Sequence, residues 1–177
     1  MDSASLAALT ESPVWIWCPG RHGHAAKVAL GRRTGLARGP GPRGQESIHV
    51  LLIEDDPAIA EMYRVQLEYD GYRVSIASTG EIGYASAVTS SPDIVLLDLL
   101  LPDRSGFEII AQIKEALSDH PPVVILSNYG EPTMIDRGVA LGALEYLVKS
   151  RVTPASVSQS IPGWIEQARQ RGSEPHD

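Results

Sequence analysis

The 177-residue sequence has a single cysteine, Cys18, and no hydrophobic run approaching the roughly 20 residues that span a bilayer. One cysteine excludes an internal disulfide, so stability must come from burial and backbone hydrogen bonding, as in a reducing compartment. These two absences predict a cytoplasmic chain with no membrane partner. Neither G-x-G-x-x-G nor G-x-x-x-x-G-K-[ST] occurs, which removes the common glycine-rich phosphate loops of nucleotide-binding proteins. Positive charge is scarce where it would matter: residues 47–177 carry nine Lys/Arg against nineteen Asp/Glu, a net −10, while residues 1–46 carry +3. Phosphate contacts need clustered cations, so the balance predicts no nucleic-acid binding by the folded part.

Residues 1–46 show no sustained period of 2 or 3.6 and are crowded with Gly, Pro and Arg from Pro19 to Gly44. Ordering them would cost backbone entropy with little buried area to offset it, which predicts a disordered or irregular leader. Cys18, His22 and His24 have ligand chemistry but no fourth partner, so no zinc site is expected there. From Ser47 to Arg171 the texture becomes short apolar runs alternating with amphipathic stretches, ahead of a C-terminal tail at 172–177. Strands are expected at Ile48–Ile53, Tyr72–Ala77, Ile94–Leu97, Val123–Leu126 and Leu144–Val148. Helices are expected near 57–69, 80–89, 105–118, 131–141 and 154–170. The third and fourth strands are so uniformly aliphatic that both faces should be covered, making them central. Right-handed crossovers then predict an α/β fold, a doubly wound five-stranded parallel sheet of order 2-1-3-4-5, flavodoxin-like. Pro162 should break or kink the last helix before Trp164, because proline removes the bond to Ser158 and crowds its carbonyl.

In such a sheet, ligands bind beyond the carboxyl ends of the strands. Strand one ends in Glu54-Asp55-Asp56, strand three in Asp98, strand four in Ser127 and strand five in Lys149. Carboxylates brought together repel one another unless a cation lies between them. Oxygen-only ligands with no His or Cys favour a hard ion, and Mg²⁺ suits two carboxylates, a carbonyl and waters. Lys149 and Ser127 could then hold phosphoryl oxygens while Asp98 attacks phosphorus as the nucleophile. Asp56 is better placed to cap the helix beginning at Pro57.

The elements "LLIEDDP", "PDIVLLDLLLPDRSGFE", "VVILSN" and "YLVKS" occur in order over about Ser47 to Arg171. Together they resemble the receiver domains of bacterial response regulators, of the chemotaxis-regulator-like kind used in two-component signalling. The resemblance implies that Glu54 and Asp55 are the acidic pair and Asp98 the phosphoacceptor. It further implies that Leu100 offers its backbone carbonyl to Mg²⁺, that Ser127 and Tyr146 are the switch residues, and that Lys149 is the family lysine. The implied phosphoryl donor is a sensor histidine kinase or phosphotransfer protein, and the output is protein–protein contact with a downstream target. On this reading the chain acts alone, as a stand-alone receiver that performs only self-phosphorylation and self-dephosphorylation. A homodimer through the last helix is the self-assembly in view, disfavoured by Pro162.

Two departures from the family pattern matter. Ser150 follows Lys149 where proline in a cis peptide is usual, leaving the loop after strand five open, and Tyr129 stands near the switch hydroxyl, where it could crowd the phosphoryl site. Two rivals remain: a degenerate receiver that binds partners without phosphorylation, and a haloacid-dehalogenase-type phosphatase. The second needs an aspartate two residues after the nucleophile, where Leu100 stands.

Overall fold

A computed structural model describes residues 47–172. The leader at 1–46, with Cys18, His22 and His24, and the tail beyond Gly172 lie outside the described residues. Five parallel strands, β1 (His49–Ile53), β2 (Arg73–Ala77), β3 (Ile94–Asp98), β4 (Val123–Ser127) and β5 (Glu145–Val148), form one sheet of order β2-β1-β3-β4-β5. Between and after them run α1 (Pro57–Tyr69), α2 (Gly80–Ser90), α3 (Gly106–Ala116), α4 (Pro132–Ala140) and α5 (Pro154–Gly172). The expected fold and strand order are both observed.

Side chains alternate across a strand, so each buried strand feeds two cores. Leu51, Ile53, Val95, Leu97, Val123 and Ile125 face the core shared with α2, α3 and Tyr146. Val50, Leu52, Ile94, Leu96, Val124 and Leu126 face the core closed by α1 and α5. β1 is as fully buried as β3 and β4, so the centre of the sheet is three strands wide and not the expected two. His49 concealed this, because a histidine reads as a surface residue until its partner is known. Here it is 1% exposed, with Nε2 2.8 Å from Ser75 Oγ on β2.

Local signals set the helix ends. Asp56 Oδ1 accepts from Ala58 N at 2.8 Å and Ile59 N at 3.2 Å, capping α1 ahead of Pro57. Gly71 leaves α1 with φ +97°, a conformation that a side chain would strain.

The expected break at Pro162 does not occur: α5 runs unbroken through it. Proline takes a donor from the Ser158 carbonyl, and the Tyr72 hydroxyl replaces it, donating to that carbonyl at 3.0 Å. Ser158 Oγ in turn donates to Asp70 Oδ2 at 2.5 Å. A tertiary contact thus supplies what the helix cannot, and Pro162 no longer counts against a contact through the α5 face.

Candidate functional site

The register brings the strand ends to one level. Ile53 pairs with Leu97, Asp98 with Leu126, and Ser127 with Val148. Glu54 follows β1, Asp98 and Ser127 close β3 and β4, and Lys149 opens the 3-10 turn Lys149–Arg151 after β5. Residues 95 positions apart in the chain therefore touch: Lys149 Nζ donates to Glu54 Oε2 at 2.6 Å and to Asp98 Oδ2 at 2.7 Å. All three side chains are at least nine-tenths buried. Asp55 is exposed and completes the group, with one carboxylate oxygen each from Glu54, Asp55 and Asp98 lying within 4.8 Å of one another.

Three carboxylates against one ammonium leave two formal negative charges at a largely buried spot. At such separations two carboxylates repel by about 3–4 kcal/mol at an effective dielectric near 20. Burial acts on the buried carboxyl and the buried ammonium in opposite senses. Burial pushes the Glu54 carboxyl above the ordinary carboxylate range; Lys149 pulls the other way and Asp98 adds repulsion. Burial alone would lower Lys149, but its hydrogen bonds to Asp98 and Glu54 prevail and hold its pKa above the ordinary lysine value. Lys149 therefore stays an ammonium. An all-oxygen donor set with surplus negative charge, open to solvent at Asp55, is compatible with Mg²⁺, which keeps several of its waters.

The other expected residues divide. Leu100 is held beside Asp98, donating its N–H to Asp98 Oδ1 at 3.2 Å, and pairs across its loop with Ser105. Ser127 is fully buried, and its Oγ accepts from Tyr129 N at 3.1 Å. Tyr146, on the edge strand β5, is 8% exposed, and its hydroxyl donates to the Tyr129 carbonyl at 2.8 Å. The backbone of Tyr129 thus joins the two expected switch residues, while its side chain is 46% exposed. The Lys149–Ser150 peptide is trans.

Asp103 escaped the sequence reading although it lies inside the "LLPDRSG" stretch. Its Oδ1 accepts from Gly80 N and its Oδ2 from Glu81 N, both at 2.8 Å. A Pro-Asp pair in a loop is a turn signal, and nothing local reveals that its carboxylate reaches a helix 22 residues upstream.

Among known proteins, the response regulator receiver domain matches residues 50–159. YkoG of Bacillus subtilis, an uncharacterized transcriptional regulatory protein, is 30% identical over 132 residues, 75% of this chain and 56% of its own length. KdpE of Escherichia coli, the KDP operon transcriptional regulatory protein, is 39% identical over 101 residues, 57% of this chain and 44% of its own. The chain thus spans about half the length of these relatives. A CheY-like receiver domain protein from Methanospirillum hungatei superposes with a TM-score of 0.64 at 25% identity, covering 72% of this chain and all of that one. With the receiver-domain pattern matching residues 50–159, more than half of its length, the chain belongs to the response regulator receiver family.

Proposed function

We propose that Asp98 accepts a phosphoryl group from the phosphohistidine of a sensor histidine kinase or phosphotransfer protein, and that the phosphorylated domain signals by docking a downstream protein. The observation carrying this reading is the convergence of Glu54, Asp55 and Asp98 within 4.8 Å, with Lys149 bonded to two of them. An Asp98 oxygen attacks phosphorus in line; the O–P bond forms as the P–N bond to the donor imidazole breaks, and the imidazole keeps the electron pair and takes a proton from water. Glu54, Asp55, Asp98 and the Leu100 carbonyl would hold Mg²⁺, which when bound neutralises charge on the phosphoryl oxygens. Lys149 exchanges a carboxylate oxygen for a phosphoryl one, and Ser127 turns its hydroxyl proton toward another.

The new phosphate, with about two negative charges, biases the Ser127–Tyr129–Tyr146 chain and through it α4 and β5. α4 suits that role, since Gly138 is its only buried residue. No multiple-turnover enzymology is assigned. The two relatives are named as transcriptional regulators, but the −10 charge of residues 47–177 supports an output by protein contact from this domain, with no nucleic-acid contact assigned to it.

Beryllofluoride or acetyl phosphate with Mg²⁺ should give a stoichiometric adduct by mass spectrometry that disappears in Asp98→Asn. An unmodified wild type would instead favour a phosphorylation-independent binding module.

A further inference from the structure

We infer that Asp103 is a positioning residue that ties the Leu100 loop to the acidic-pair loop through the N-terminus of α2. This deepens the proposed function and rests on it for the part that concerns Mg²⁺. The first N–H groups of a helix have no partner within the helix. In α2 the division of labour is unusual: the N-cap Thr79 takes Ile82 N with Oγ1 at 3.3 Å, while Gly80 N and Glu81 N both go to the carboxylate of Asp103, from a different loop. A cap local to α2 would stabilise the helix alone. One supplied by the β3–α3 loop also fixes that loop.

The linkage runs in both directions from there. Toward β3, the loop is short and doubly pinned: Gly106 N donates to Leu99 O at 2.9 Å, and Leu100 bridges Ser105 while donating its N–H to Asp98. Toward β1, α2 follows directly on β2, whose last residue Ala77 accepts from Glu54 N at 3.0 Å. Hydrogen bonds and short stretches of chain therefore link Asp98 and Leu100 through Asp103, the start of α2 and the end of β2 to Glu54. The packing is tight enough to transmit displacement, since a Cβ at Gly80 would stand 2.4 Å from Arg104 Cγ. Arg104 is itself steered by Gln112, bonded at 3.1 Å. Mg²⁺ is intolerant of misplaced ligands, so a loop free to drift would weaken the site without removing a ligand.

Thr79→Ala removes the other cap of the same helix and is the control for mere helix stability. In Asp103→Ala, the Mg²⁺ concentration for half-maximal beryllofluoride adduct should rise about tenfold, the low end for loss of an outer partner. Asp103→Asn, with one acceptor oxygen for two N–H groups, should fall between, and Thr79→Ala should leave the midpoint unmoved. Amide exchange gives a second readout independent of phosphorylation: protection at Leu100 and Gly106 should drop at least tenfold in Asp103→Ala and persist in Thr79→Ala. Equal effects of the two variants on exchange, or none from Asp103→Ala, would overturn the inference. If wild type forms no adduct, the phosphoacceptor reading fails, and the exchange comparison still decides whether Asp103 holds the loop.

Discussion

The two rims of the sheet both bury polar groups, but they treat charge differently. At the carboxyl rim, Glu54, Asp98 and Lys149 are at least nine-tenths buried and charged, and with Asp55 the sum does not cancel. At the amino rim, His49 is buried beside Ser75, and its backbone exchanges a closed pair of bonds with Asp93: His49 N donates to Asp93 Oδ2 at 2.7 Å and Asp93 N to His49 O at 2.8 Å. Tyr72 and Asp70 fasten α5 at this same end. Among the described residues, the amino rim leaves one neutral atom, His49 Nδ1, without a partner; the carboxyl rim is short of positive charge. A buried surplus of negative charge is costly and serves no packing purpose, which is the physical ground for placing the chemistry there.

Removing Lys149, the cation bonded to both buried carboxylates, should have the largest effect. Lys149→Met keeps much of the volume but leaves two buried carboxylates facing each other, and should destabilise the fold by about 3–5 kcal/mol in urea without divalent ions. On the proposed function Mg²⁺ is held by the folded acidic group alone, so adding it should recover part of the loss. Adding Asp98→Asn should recover more by removing one of the repelling charges. The comparison of rims fails if Mg²⁺ stabilises Lys149→Met no better than it stabilises an amino-rim variant such as His49→Gln.

The sheet and the carboxyl rim were legible because each depends on signals the chain repeats. Aliphatic runs such as Ile94–Leu97 mark strands, parallel crossovers restrict their order, and parallel strands of matched length bring their last residues to one rim wherever they lie in the chain. The amino rim was not legible. Tyr72 and Ser158 are 86 residues apart, and no pattern marks a tyrosine as the donor for a carbonyl orphaned by Pro162. Asp103 and His49 were missed for the same reason: Asp and His have many surface fates, and only a partner distant in sequence selects the buried or bridging one.

The Tyr72 bond can be isolated with a cycle. Tyr72→Phe leaves the Ser158 carbonyl buried without a donor and should cost about 1–3 kcal/mol. In Pro162→Ala, the new backbone N–H can take that carbonyl, so the same Tyr72→Phe change should cost much less. The coupling energy between the two sites, measured by urea unfolding, reads directly how far a side chain has replaced a helix bond. Additive effects would mean that α5 tolerates Pro162 for another reason, and the amino rim would lose one of its fasteners.

The smallest effect expected is a pH dependence belonging to the amino rim. Burial, and then the nearby Arg73 charge, lower the His49 pKa below its ordinary 6.5, against the opposing influence of Asp93 and the Ser90 carbonyl. A histidine whose folded pKa is depressed is neutral in the fold but takes up a proton in the unfolded chain. Its share of the stability is therefore fully present above pH 6.5 and is lost as pH falls from there toward the folded value. The slope in that window cannot exceed about 1.4 kcal/mol per pH unit, the limit for one proton bound by the unfolded chain alone. Urea unfolding from pH 7.5 to 5 should show the decline in wild type and a flatter profile in His49→Gln, whose amide can still reach Ser75. A decline of equal steepness in both proteins would remove His49 as its source. Glu54 could not take its place, because burial raises its pKa and a proton there relieves repulsion, a contribution that grows as pH falls.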